Sequence, residues 1–307
     1  MRILSRYMSV LFVGAGAVSA ASAALLHESC EVGVTSLSAP QSHMQVSRAS
    51  HSVRLPARVT SVDAMPWSDA ISRRWDAVVF TWSPKNVAEE VYADLIKYVD
   101  PRLVATTSQV PGDFENLAAR LPFTSTIMLV PRYLSYRTHD RPSASFSYWL
   151  PPGSSPFFAA GSPQDLMVVK DVLGSAALAA TSGRLLQDAA RTMPFAAELV
   201  IQKGDWASLS ANLTRPRLAA KEALRSLGHQ STLYPPKSAL RLALALLPAI
   251  APFDLKYYSA NHFSRHANQT LTMLDQWINR SPEGTPALQE QRRQLALRLH
   301  GRPSVSP

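Results

Sequence analysis

The sequence predicts an α/β chain: a doubly wound N-terminal sheet followed by an all-α C-terminal domain. Three observations lead there. Short apolar, β-rich runs alternate with helical stretches up to about residue 180. A glycine turn separates the first run from the first helix. Beyond residue 181 the apolar spacing is almost entirely helical.

The first stretch, "SVLFVGAGAVSAASAALL" at 9–26, has two readings. Arg2 and Arg6, an apolar run over 8–18 and "ASA" at 21–23 fit a secretory signal cut after Ala23. The order of residue types fits a strand, a glycine turn and a helix. Gly14 permits a tight turn out of the strand, and Gly16 lets a pyrophosphate approach the backbone. The helix start then offers free N–H groups and a partial positive charge. Ser19 takes the third glycine position and is small enough for close helix–strand packing. The segment Gly14, Ala15, Gly16, Ala17, Val18 and Ser19 is therefore the candidate cofactor turn, in a Rossmann-type nucleotide-binding domain. This reading is preferred because cleavage after Ala23 would remove the strand expected at the centre of the sheet.

The following elements come in order. "EVGVTS" (31–36) is the second strand. "WDAVVFTW" (75–82) is a buried strand followed by an amphipathic helix over 84–99. "RLVATTS" (102–108) and "DFENLAARL" (113–121) repeat the pattern. Runs at 125–137, 143–151 and 155–161 read as strands near an edge, and 163–178 as the last helix of this half. Helices are expected over 183–203, 214–228, 236–250, 254–280 and 285–299. The apolar stretch 238–252 is short of the roughly 18 residues that span a bilayer. Pro248 interrupts it, so it reads as a buried core helix. The expected divisions are an N-terminal extension (1–7), a nucleotide-binding domain (8–180), a helical domain (181–300) and a disordered tail (301–307).

The 307 residues carry a formal charge of +9, which suits an anionic partner. The lysines and arginines are scattered without a run of four, so neither nucleic acid nor membrane is expected as a partner. A single cysteine, Cys30, excludes an intrachain disulfide and a multi-cysteine zinc site. Trp82, Trp149 and Trp206 read as core or cleft wall. No Asp or Glu lies between Glu31 and Asp63, and Ser36, Leu37 and Ser38 occupy the end of the second strand. Without an acid to accept a ribose 2′-hydroxyl, NADP is favoured over NAD. The nearest arginine is Arg48, so both cofactors stay open.

The segments "VLFVGAGAVS", "DAVVFTWSPKNVAEEV", "ATTSQVPGDFENLAARL" and "FDLKYYSANHFSRHANQTLTMLDQWI" together resemble the ketopantoate reductases (2-dehydropantoate 2-reductases). The resemblance runs in order along nearly the whole chain. It implies a Rossmann domain, a helical domain like the C-terminal part of 6-phosphogluconate dehydrogenase, and an active site in the cleft between them. The implied reaction is NADPH-dependent reduction of a small 2-keto acid. Ser83 and Gln109 would lie on the nicotinamide side. Ser83 stands where the family carries a lysine, with Lys85 two residues on. Val110 replaces the loop asparagine, and Leu37 the arginine that binds a 2′-phosphate. The catalytic lysine expected on the first helix of the second domain has no counterpart. There "RTMPFAAELVIQK" offers Glu198, with Lys203 only at its end.

Along 254–270, Asp254, Tyr258, His262 and His266 fall at i, i+4 steps and share one face, with Arg265 and Gln269 beside it. Arg265 is the candidate for holding a substrate carboxylate, and a histidine for the acid. The alternative is a solvated or dimer-facing stripe. The HxxxH spacing lacks the added glutamate of a zinc motif, and no metal is expected. The candidate catalytic residues are thus Glu198 and Arg265. The reductase reading stands against a catalytically weakened relative that acts as a nucleotide-binding or assembly module. A cytoplasmic location is expected, with organelle targeting or export through residues 1–23 as the alternative; the resemblance leaves monomer and homodimer both open.

Overall fold

The computed structural model describes residues 8–37, 43–49, 59–138, 144–229 and 234–300. The extension 1–7, the tail 301–307 and Ser38 lie outside these. The chain divides into two compact units, with the boundary between Leu185 and Leu186.

The first unit runs β1 (Ser9–Val13), α1 (Ala17–Leu26), β2 (Glu31–Ser36), β3 (Met44–Arg48), β4 (Val59–Val62), β5 (Ala64–Pro66) and α2 (Trp67–Ala70). It continues with β6 (Ala77–Phe80), α3 (Glu89–Asp94), β7 (Leu103–Thr106), α4 (Asp113–Arg120), β8 (Ser125–Pro131), β9 (Leu134–Thr138), β10 (Ala144–Trp149), β11 (Phe157–Ala160), α5 (Pro163–Leu173) and β12 (Ala177–Ala179). The main sheet has the order β12-β11-β8-β7-β6-β1-β2-β5. β1 pairs parallel with β2 on one side and β6 on the other. All five of its residues are buried, as a strand covered on both faces requires. The chain leaves β1 toward β2 and returns to β6, so strand order reverses beside β1. That is where open α/β sheets bind ligands. The N-terminal stretch is therefore an integral strand and helix of the Rossmann-type sheet.

A second sheet, β4-β3-β10-β9, was not anticipated from the sequence. It packs on α1, whose other side meets the main sheet. One apolar cluster joins Val10, Phe12 and Val79, then Ala20, Ala21, Ala23 and Ala24, then Met44, Val46, Phe146 and Tyr148. A helix held between two sheets has no room for long side chains, which accounts for the Ala/Ser composition of α1. Of the three runs expected near an edge, 125–137 differs most. It splits at Arg132–Tyr133: β8 lies inside the main sheet, and β9 crosses to the second. Tyr133 turns inward there. Its hydroxyl lies 2.6 Å from Ser22 Oγ and donates to Val18 O at 3.0 Å. The helix expected over 84–99 is a 3-10 turn (Pro84–Asn86), α3 and a π turn (Leu95–Val99).

The second unit contains most of α6 (Ser182–Ile201), then α7 (Trp206–Ala211), α8 (Thr214–Ser226), α9 (Lys237–Ile250), α10 (Leu255–Arg265), α11 (Ala267–Arg280) and α12 (Pro286–His300). α8, α11 and α12 pack together around Ala219, Ala223, Leu274, Trp277, Leu288 and Leu295. Two expectations need correction. The helix over 254–280 breaks at His266, which ends α10 and starts α11. His266 has φ −96° and ψ 11°, away from helical values, so one helix stops there and the next begins. The supposed core helix at 238–252 is not buried: no residue of α9 is. Leu240 and Leu244 rest on Leu199, Leu209 and Leu213, while Leu242, Leu246 and Ile250 are exposed. Pro248 is accommodated in its last turn. Among the described residues no single helix is long and apolar enough to cross a membrane.

Candidate functional site

The carboxyl ends of β1, β6 and β7 lie side by side on one edge of the main sheet. Gly14 leaves β1 with φ at +123°, a conformation open to glycine. A Cβ there would fall 2.4 Å from Thr81 Oγ1 and 2.6 Å from the Trp82 ring. Its N–H donates to Thr35 O at 2.6 Å, tying the turn to β2.

Gly16 is different. Its φ is ordinary at −98°, and a Cβ would meet nothing within 4 Å. Gly16 caps α1 without a side-chain acceptor, and the first turn carries no acid. The N–H groups of Ala17, Val18 and Ser19 therefore have no acceptor among the described residues. Gly14 and Ala15 are half-buried and Gly16 is exposed, so the turn opens to solvent. Uncapped N–H groups under open space, with no opposing carboxylate, fit an anionic pyrophosphate. Ser19 is fully buried, and its Oγ lies 2.9 Å from Thr81 Oγ1, which donates in turn to Val13 O at 3.0 Å. Its side chain thus packs α1 onto β6 and leaves only its backbone N–H for a ligand.

Ser83 and Gln109, both half-buried, stand beyond the ends of β6 and β7. The turn after Ser83 is pinned by Tyr92, whose hydroxyl donates to Pro84 O at 2.9 Å; burial pushes that phenol up to about 12. The loop around Gln109 is pinned by Asp113, which is completely buried. Asp113 accepts from Ser108 Oγ at 2.5 Å, and Lys85 Nζ lies 3.4 Å from its other oxygen. Val110 is buried, and its N–H donates to Ser108 Oγ at 3.3 Å. At the end of β2, Leu37 is exposed and no carboxylate occurs between residues 32 and 62.

The sequence reading missed Thr81, Ser108 and Asp113. Their only local signal is a polar residue just past a buried strand or at a helix start. The link from Ser19 to Thr81 crosses 62 positions, and no spacing rule reaches that far.

In the second unit Glu198 is buried on α6, with both oxygens engaged. Arg215 holds it through Nε at 2.9 Å and Nη2 at 2.6 Å; Gln202 donates at 2.7 Å and Gln291 at 3.2 Å. Arg265 ends α10, exposed and without a carboxylate partner among the described residues. No hydrogen bond joins it to Glu198. Asp254 caps α10 through Tyr257 N at 3.0 Å, and His262 stacks on buried Tyr258 at 4.8 Å. Trp206 is braced on Ser259 Oγ at 2.9 Å.

No protein-family profile matches the chain, and no curated protein does. Solved structures do match over nearly its whole length. The dimeric ketopantoate reductase of Staphylococcus aureus aligns with a TM-score of 0.63 at 12% identity, covering 96% of this chain and 99% of its own. The 2-dehydropantoate 2-reductase of Geobacter metallireducens GS-15 gives 0.64 at 15%, covering 94% and 99%. A D-mandelate dehydrogenase, solved with NADH and anilino(oxo)acetate, gives 0.66 at 10%, covering 96% and 99%. At such identities the likeness is one of fold: the chain has the ketopantoate-reductase architecture, a Rossmann N-terminal domain followed by a helical one.

Proposed function

We propose that the chain is an NAD(P)H-dependent reductase of a small 2-keto acid. One observation carries the reading. Beside the strand-order reversal, the start of α1 presents three unclaimed N–H groups under the open space at Gly16. A pyrophosphate fills that space and accepts from those groups. Gly14 to Ser19 hold the diphosphate, and Ser83 and Gln109 line the nicotinamide half. When bound, the reduced nicotinamide supplies a hydride to a carbonyl carbon. The missing carboxylate at the end of β2 favours NADP over NAD, since nothing there repels a 2′-phosphate. A chain cut after Ala23 would lose β1, so the reading keeps residues 9–26 in the folded protein. The S. aureus relative supports a homodimer.

Hydride delivery builds negative charge on the carbonyl oxygen, and a nearby cation or proton donor must meet it. Glu198 already serves Arg215, Gln202 and Gln291, so its part is to brace α6. Arg265 stays available to an anionic group.

Titrating the purified protein with NADPH and NADH tests the reading. Trp82 packs on Gly14, so its fluorescence should fall on binding. Oxidation of NADPH should follow on addition of a 2-keto acid. Absence of quenching at millimolar dinucleotide would refute the assignment. A second reading, a relative that binds nucleotide without turnover, is favoured by one fact: α6 carries no lysine. Quenching without oxidation across a panel of 2-keto acids would establish it.

A further inference from the structure

Beyond the dinucleotide turn, the same edge of the sheet carries a second feature. Arg132 directly follows β8, and its N–H is fixed on Pro156 O at 2.8 Å. Its guanidinium lies 4.2 Å from the ring centroid of Phe158 on β11. Arg184, in the first turn of α6, lies 5.6 Å from the same centroid. This ring thus gathers two cations, and neither guanidinium meets a carboxylate among the described residues. The two charges are no more than about 10 Å apart and repel each other, since only an aromatic face compensates them. An anion set between them would relieve that repulsion.

Position gives the pair its meaning. β8 stands three strands from β1, about 14 Å at ordinary strand spacing. A dinucleotide anchored at α1 extends its nicotinamide half over β6 and β7, so the end of β8 is the next place along the edge. Phe158 pairs with Val130 across the strands. Both alternate away from Ile127, Leu129, Phe157 and Ala159, which fill the core on the α1 side.

Resting on the reductase reading, we infer that Arg132 and Arg184, aligned by Phe158, bind the carboxylate of the 2-oxo acid. Arginine presents paired N–H donors that match a carboxylate, and a ring face keeps the guanidinium plane oriented.

The test is calorimetric titration of the full chain with pyruvate, 2-oxobutanoate, 2-oxoisovalerate and phenylpyruvate, with and without NADPH. Methyl pyruvate serves as the uncharged control. Arg132→Gln and Arg184→Gln should each weaken binding of the acids about ten- to a hundredfold, the worth of one charge-assisted hydrogen bond. Arg132→Lys should lose less. Methyl pyruvate and NADPH should bind the variants as they bind the wild type. The inference is overturned if no acid binds the wild type, if the arginine variants bind acids normally, or if only Arg265→Gln loses them. Loss of NADPH binding in the wild type would instead strike the reductase reading. Acid binding that still depended on Arg132 and Arg184 would then leave this inference standing. Should a glutamine variant fail to fold, Arg132→Lys and Arg184→Lys carry the comparison.

Discussion

Alanine at Gly14 and alanine at Gly16 should have opposite consequences, although the two glycines are two residues apart. At Gly14 the backbone sits at φ +123°, and the added methyl would lie 2.4 Å from Thr81 Oγ1 and 2.6 Å from the Trp82 ring. The conformational strain costs roughly 1–3 kcal/mol. Forcing a methyl into a packed site costs about another 1–3 kcal/mol. About 4 kcal/mol is a large part of the 5–15 kcal/mol that usually holds a domain. It should lower Tm by roughly 10 °C. At Gly16 the methyl meets nothing within 4 Å and the backbone is unstrained. Gly16 is the cap of α1, where alanine is the poorer residue, so that loss offsets the gain of up to about 1 kcal/mol from a less flexible unfolded chain and stability should stay level. The methyl does enter the space assigned to the pyrophosphate, and NADPH affinity should fall tenfold or more. Thermal melts and tryptophan quenching on both variants decide the matter. Normal NADPH binding by Gly16→Ala, or a melt as depressed as that of Gly14→Ala, would refute the reasoning.

Three further outcomes are expected. Tyr133→Phe leaves Ser22 Oγ buried without its 2.6 Å partner and frees Val18 O, so urea unfolding should show a loss of roughly 1–3 kcal/mol at unchanged m-value. Glu198→Ala strands Arg215 beside a buried hole and should cost roughly 3 kcal/mol without altering NADPH affinity; a selective loss of turnover in a stable Glu198→Gln protein would show it to be catalytic instead. Tyr92 keeps its proton to about pH 12 when folded, against an ordinary value of 10, because burial opposes the phenolate. The unfolded chain gives up that proton first. The stabilisation is therefore complete below pH 10 and disappears as pH rises through 12, and Tyr92→Phe should flatten that part of the stability–pH curve.

Much of the fold was readable in order along the chain. Alternating apolar runs located β1, β2, β6, β7 and β8, because strands buried on both faces must be apolar throughout. "GAGAVS" marked the turn, since its glycine requirement is local and shows in residue type. The second sheet escaped because β3 and β4 are short, and nothing nearby tells that Met44 and Val46 will pack on α1. The helical domain was divided nearly correctly, but no glycine or proline between 254 and 280 marks the break at His266.

The sequence by itself determined the local chemistry: where a backbone needs glycine, where a helix begins unopposed by acids, and that one cysteine admits no intrachain disulfide. Only the tertiary structure decided which groups are free to act. Glu198 looks like a lone acid in an apolar helix until Arg215, Gln202 and Gln291 close around it. Arg132 and Arg184 are unremarked among many basic residues until β11 brings one ring beneath both. Availability depends on long-range contacts, and these are fixed by how the sheets and helices fill space rather than by any neighbouring residue.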